Sequence, residues 1–271
     1  MSSAAIGLFD SGIGGSSIWQ ALQTELPQEN TCYLADNANA PYGDKSPSEI
    51  LALCEADCAF LIERGCKLII IACNTATALA AAALRSRYRL PIIGVEPAVK
   101  PAALATHSGS IGVLATKATL ASEKFLTGVE NHVKSKGIKL LARSGSGLVE
   151  LIENNQLYSK EMAALLDAHC AAFATAGIDQ LVLGCTHYPY LRAQLAARLP
   201  QVNIIDSGAA VARHTRRILT TAQLLNPQPP HQAQHEWFST GDSRMLAQFA
   251  PSGDSVKQIR LSQISAGEAE K

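Results

Sequence analysis

The sequence predicts an α/β fold: two doubly wound parallel-sheet domains related by pseudo-twofold symmetry, with the active site in the cleft between them. Three observations predict it. Short apolar runs alternate with alanine-rich helical stretches along the 271 residues, the pattern of parallel strands covered by helices on both faces. A stretch of about 35 residues matches a later one without gaps at an offset of 112. Each copy ends an apolar strand in a cysteine, Cys73 in the first and Cys185 in the second.

The strand-like runs fall at 4–9, 31–35, 67–72, 91–95, 110–114, 138–142, 179–184 and 202–206, each β-branched or leucine-rich and bounded by loop residues. Helical periodicity marks 47–64, 75–87, 159–176, 188–199 and 208–224. Asn226-Pro-Gln-Pro-Pro230 stops the last helix. After it, Trp237, Phe238 and the run 256–261 predict one or two added strands around a short helix, and the terminal Gly267-Glu-Ala-Glu-Lys271 is expected to fray. Within the repeat, Gly65 and Cys73 lie against Gly177 and Cys185, and Ile92-Ile-Gly-Val lies against Ile204-Ile-Asp-Ser. A weaker match sets Ile6-Gly-Leu-Phe-Asp10 against Ile111-Gly-Val-Leu-Ala115. The chain is expected to cross over near 97 and return near 207. The first domain is then 1–96 plus 208–271, carrying Asp10 and Cys73. The second is 97–207, carrying Cys185 and His187.

Composition excludes several function classes. The 23 Lys+Arg and 23 Asp+Glu cancel, so neither nucleic acid nor a membrane surface is an expected partner. Apolar residues reach 47%, enough for a real core. Aromatics are 5% against 43 alanines, which argues against base-stacking or sugar-stacking surfaces. The amino terminus lacks the basic region of a signal peptide, and the densest apolar run, Leu68 to Cys73, is too short to span a bilayer. Seven cysteines without a CxxC pair predict free thiols in the reducing cytoplasm.

Free cysteine usually packs as a small hydrophobe, and Cys32, Cys54, Cys58, Cys66 and Cys170 keep that reading. Cys73 and Cys185 differ because both stand where an apolar strand becomes a polar loop, the position at which open parallel sheets bind ligands. Two thiols facing one cleft do not make a zinc site, which needs three or four ligands at ligand spacing. An acyl-transfer thiol gives no use for the second cysteine. Two acid/base groups on opposite faces of one carbon can invert a stereocentre, and a thiol's reference pKa of about 8.5 suits proton transfer near neutrality. Asp10 ends the first strand and His187 follows Cys185 by two residues, so each thiol has a candidate helper. Small polar loops at strand ends (Asp10-Ser11-Gly12, Asn74-Thr75, Thr116 with Thr119, Thr186) can hold a small anion through N–H and hydroxyl groups. Gly12-Ile-Gly14-Gly15 lacks the third glycine of a dinucleotide fingerprint, and no phosphate-loop lysine follows. No cofactor and no metal are expected.

At these residues the sequence resembles the glutamate racemase family, within the aspartate/glutamate racemase superfamily. The motifs are Gly7-Leu-Phe-Asp10-Ser-Gly-Ile-Gly-Gly15, Ala35-Asp36, Pro41-Tyr42-Gly43, Ala72-Cys73-Asn74-Thr75-Ala76, Leu183-Gly-Cys185-Thr-His187-Tyr-Pro189 and Thr240-Gly241. The resemblance implies cofactor-independent interconversion of L- and D-glutamate, supplying D-glutamate for peptidoglycan. It implies that Cys185 deprotonates the L-enantiomer and Cys73 the D-enantiomer, assisted by Asp10 and His187. A further family glutamate maps to Glu153, with Glu150 as competitor. Implied substrate contacts are Asp10, Ser11, Pro41, Tyr42, Gly43, Asn74, Thr75, Thr116, Thr119, Thr186 and His187. Asn39 stands where many members have Arg, and Ala115 where many have Gly. The alternatives are a racemase of another acidic amino acid such as aspartate, a related one-thiol decarboxylase or isomerase, and a non-catalytic module binding small anions. A homodimer is the assembly to test for.

Overall fold

A computed structural model describes residues 1–251 and 254–261, so the expected fraying of 267–271 lies outside the described residues. In chain order the strands are β1 (Ile6–Asp10), β2 (Thr31–Ala35), β3 (Leu68–Ile71), β4 (Ile92–Gly94), β5 (Ser110–Ala115), β6 (Lys139–Ser144), β7 (Gln180–Gly184), β8 (Asn203–Ile205), β9 (His235–Ser239) and β10 (Val256–Gln258). The helices are α1 (Ser16–Glu25), α2 (Pro47–Glu63), α3 (Asn74–Arg87), α4 (Val99–Ala105), α5 (Lys117–Ala121), α6 (Glu123–His132), α7 (Leu148–Glu153), α8 (Lys160–Thr175), α9 (Arg192–Arg198) and α10 (Gly208–Thr221).

Every residue of β1, β2, β3, β5 and β7 is buried, which is why these strands read as unbroken apolar runs rather than alternating ones. They form two all-parallel sheets, ordered β10-β9-β2-β1-β3-β4 and β6-β5-β7-β8. The order 2-1-3-4 of the first sheet recurs as 6-5-7-8 in the second, so the sequence repeat is a repeat of topology. In each sheet the strand order reverses beside the strand that leads into a repeated cysteine. That reversal is the point at which open α/β sheets bind ligands.

The carboxy-terminal segment contributes both of its expected strands. β9 pairs parallel with β2, and β10 pairs with β9; among the described residues between them lies a 3-10 turn, Leu246–Gln248, in place of the expected short helix. The predicted helix 188–199 divides into a 3-10 turn at Tyr188–Leu191, with Pro189 in its first turn, and α9. α10 packs along α1, and α4 packs on β5 and β7. A buried ion pair ties the chain's return together. Lys67 Nζ lies 2.6 Å from Glu29 and donates to the carbonyls of Leu224 and Ser2 at 2.7 and 2.8 Å. Among the described residues no helix is long and apolar enough to cross a membrane.

Candidate active site

Four strand ends supply the site. β1 finishes at Asp10, β3 leads into Cys73, β5 into Thr116 and β7 into Cys185. Both cysteines line one cavity of about 110 Å³, together with Ser11, Pro41, Tyr42, Gly43, Asn74, Thr75, Thr116, Thr186 and His187. One water needs about 10–15 Å³ by this measure, so the cavity takes on the order of ten heavy atoms, the size of an amino acid.

Cys73 is the residue before the first turn of α3, whose first N–H groups have no carbonyl partner within the helix. Its Sγ lies 3.7 Å from Ser11 Oγ. Burial pushes its thiol up to about 12, and the Asp10 carboxylate beside it adds to the shift. In the other half, Cys185 Sγ lies 3.7 Å from His187 Nδ1. His187 Nε2 lies 2.6 Å from Glu153 Oε1, which also accepts the Ile13 N–H at 2.8 Å. Burial alone lowers the pKa of His187, but its hydrogen bonds to Cys185 and Glu153 outweigh that and hold it well above the ordinary histidine value. The doubly protonated ring can thus donate toward the sulfur and the carboxylate at once.

Asp10 lies wholly buried beneath the cavity floor and accepts the Thr186 hydroxyl at 3.3 Å. Burial lifts its pKa to about 7; the charge on His187 pulls it down, and Glu153 pushes it up. An ionised Asp10 therefore destabilises the fold. The penalty is absent below the unfolded value of 3.8 and complete above about 7. By 1.36 kcal/mol per unit, wild type should lose up to about 4 kcal/mol of stability relative to Asp10→Asn as pH rises from about 4 to about 8. Urea unfolding of the two proteins across that range measures the difference. Parallel curves would show that Asp10 does not titrate in this window.

The glycine turn has a steric purpose. A Cβ on Gly12 would collide with the Glu153 carboxylate, one on Gly14 with the His187 ring and the Thr186 hydroxyl, and one on Gly15 with Asp10 and Tyr33. Glycines let the backbone after β1 close against the His187–Glu153 pair. Tyr33 fastens the turn by donating to the Gly12 carbonyl at 3.0 Å.

The Asp36–Gly43 loop forms one wall and is anchored from outside the repeat. Asn37 Oδ1 accepts from the Ser239 hydroxyl and the Gly241 N–H at 2.8 and 2.9 Å, and Thr240 donates to Asp36 at 2.7 Å. Asn39, the departure from the family pattern, donates to both Asp36 oxygens at 3.0 and 3.1 Å. Amide hydrogen bonds anchor this loop at that position.

Three expected residues stand elsewhere than on the cavity wall. Thr119 lies behind Thr116, their hydroxyls 2.9 Å apart, and opens instead on a neighbouring cavity. Asp10 lies buried beneath the lining, and Glu153 opens on a second neighbouring cavity. Of the two candidate glutamates, Glu153 meets His187, while Glu150 lines the cavity. Sequence reasoning missed Lys117, Tyr188 and the turn Ser144-Gly145-Ser146-Gly147, which all line the cavity. Lys117 adds one exposed ammonium to the hydroxyl and N–H groups expected there. The topological repeat could have found the 144–147 turn, because it follows β6 as the 36–43 loop follows β2.

The profile of the Asp/Glu/Hydantoin racemase family matches residues 16–215. The chain is 44% identical over 250 residues to the glutamate racemase of Stutzerimonas stutzeri, covering 92% of this chain and 93% of that one. Its fold superposes on a glutamate racemase isoform from Bacillus anthracis with a TM-score of 0.86 at 28% identity, covering 96% of this chain and 99% of that chain. It also superposes on the glutamate racemase from Francisella tularensis, solved in complex with D-glutamate, with a TM-score of 0.82 at 28% identity, covering 97% and 100% of the two chains. With its duplicated sheets and strand-end cysteines, the chain belongs to the Asp/Glu/Hydantoin racemase family, on its glutamate racemase branch.

Proposed function

We propose that this chain is a cofactor-independent racemase that interconverts L- and D-glutamate by proton transfer at Cα between two thiols, and that it supplies D-glutamate for peptidoglycan in the cytoplasm. The observation that carries the reading is the matched pair Cys73 and Cys185, one from each half, lining one cavity of amino-acid size. One thiolate removes the α-proton, and the other thiol returns its own proton to the opposite face. Each turnover thus leaves the two thiols with exchanged protonation states, and the net reaction is inversion alone.

The surroundings support these roles. Asp10 stands beside Cys73 as a group that can carry a proton near neutral pH. Protonated His187, braced by Glu153, stands with Nδ1 3.7 Å from the Cys185 sulfur, within reach to hand over or hold a proton. The start of α3 and the hydroxyls of Ser11, Thr75, Thr116 and Thr186 can receive a carboxylate, while Lys117 in the lining attracts a substrate with two carboxylates and a net negative charge. The division into 1–96 plus 208–271 and 97–207 belongs to the same reading, with one thiol on each domain.

An assay in deuterium oxide with both enantiomers of glutamate and of aspartate tests it. Either glutamate enantiomer should yield a product carrying deuterium at Cα. Turnover of aspartate alone would reassign the substrate, and binding of glutamate without turnover would make the chain an anion-binding module.

A further inference from the structure

Two carboxyl groups that the proposed chemistry does not use are fully buried behind the Pro41–Gly43 wall: Asp36, and Asp57 on α2. They share one partner. The Tyr42 hydroxyl lies 2.6 Å from Asp36 Oδ2 and 3.3 Å from Asp57 Oδ2. That hydroxyl has a single proton, and the shorter contact is where it goes. Asp36 also accepts from Asn39 and Thr240, so it has the donors an anion needs. Asp57 has none of these. Its Oδ1 finds no hydrogen-bond partner, and no cation pairs with it among the described residues. A buried carboxylate without donors is strongly disfavoured. A neutral carboxyl resolves the count, because its O–H can donate to the Tyr42 oxygen. The protons then run one way, from Asp57 to Tyr42 to Asp36.

We propose that Asp57 is a positioning residue: a neutral carboxylic acid whose proton fixes Tyr42, and with it the Pro41-Tyr42-Gly43 wall against which the substrate lies. This rests on the reading of that wall as a glutamate contact. Burial and then the negative charge of Asp36 raise the Asp57 pKa well above the carboxylate range, against the opposing Tyr42 hydrogen bond.

Two measurements on the full chain test the proposal. At about pH 8, above the Asp10 value of about 7, the infrared difference between wild type and Asp57→Asn should contain the carbonyl band of one neutral carboxyl group. In glutamate turnover, Asp57→Asn keeps an N–H donor and should hold KM near the wild-type value. Asp57→Ala loses that donor and should raise KM about fivefold for both enantiomers with kcat little changed, the size expected for one hydrogen bond. A missing infrared band, or an unchanged KM in Asp57→Ala, overturns the proposal. Should Asp57→Ala not fold, the Asp57→Asn spectrum still decides the protonation state. If the band is present but wild type does not turn over glutamate, the proposed function fails while the neutral Asp57 stands.

Discussion

Cys73→Ser is expected to lower kcat about 10³-fold, and Cys185→Ser to do the same, within the 10²–10⁴ span of a positioned acid/base group. A serine hydroxyl ionises far less readily than a thiol, so each variant loses one of its two proton carriers while keeping almost the same shape. Cys170→Ser is the matched control, since that thiol is buried on α8 outside the cavity. A second readout separates lost chemistry from lost folding. With one thiol left, a proton can still be removed and returned on the same face. Each variant should therefore exchange the α-hydrogen of one enantiomer with deuterium oxide without inverting it, and the two variants should act on opposite enantiomers. Normal rates in both variants, or exchange of the same enantiomer by both, would sink the two-thiol reaction.

His187→Asn is expected to cost about 10²-fold in kcat, the lower end of the same span. The ring bridges Cys185 and Glu153, and without it the sulfur loses its only hydrogen-bond partner among the described residues. Glu153→Gln should cost less and do something more diagnostic. Removing the carboxylate lowers the pKa of His187, which is protonated below that pKa and loses its proton above it. The basic limb of the kcat/KM profile should then move to lower pH in Glu153→Gln and leave the acidic limb in place. The double variant should lose little beyond His187→Asn alone in kcat, because Glu153 reaches Cys185 through the ring. An unmoved basic limb would show that activity does not depend on protonated His187.

The parts of this molecule that local pattern specifies were legible in the sequence. All eight strand-like runs formed strands, and β1, β2, β3, β5 and β7 read most plainly because a strand buried on both faces is continuously apolar. The offset of 112 could be read because no insertion interrupts the matched stretch of about 35 residues. What escaped were relations between distant segments. That β9 joins the sheet beside β2 depends on pairing across about 200 residues, which no period in either strand records. Glu150 and Glu153 lie nearly one turn apart on α7, so the pattern could not say which one reaches His187. The Asp36–Tyr42–Asp57 chain escaped for a similar reason: two buried acids look unfavourable until the single proton between them is counted. Lys117 was passed over because a lone lysine after a strand is usually a solvated side chain.

Among the described residues, β9 and β10 have no counterpart in the second sheet. The end of β9 clamps the wall that follows β2, while the matching wall after β6 follows the edge strand of its sheet. For a racemase this asymmetry meets a constraint from outside the protein. Mirror-image substrates have equal free energy in water, so the equilibrium constant between them is unity. The Haldane relation then forces kcat/KM to be identical for the two enantiomers, however unequal the walls that hold them. Any difference in stiffness between the halves can show itself only as kcat and KM rising or falling together. One hand of glutamate would be held more tightly and turned over more slowly, with no net preference for either direction.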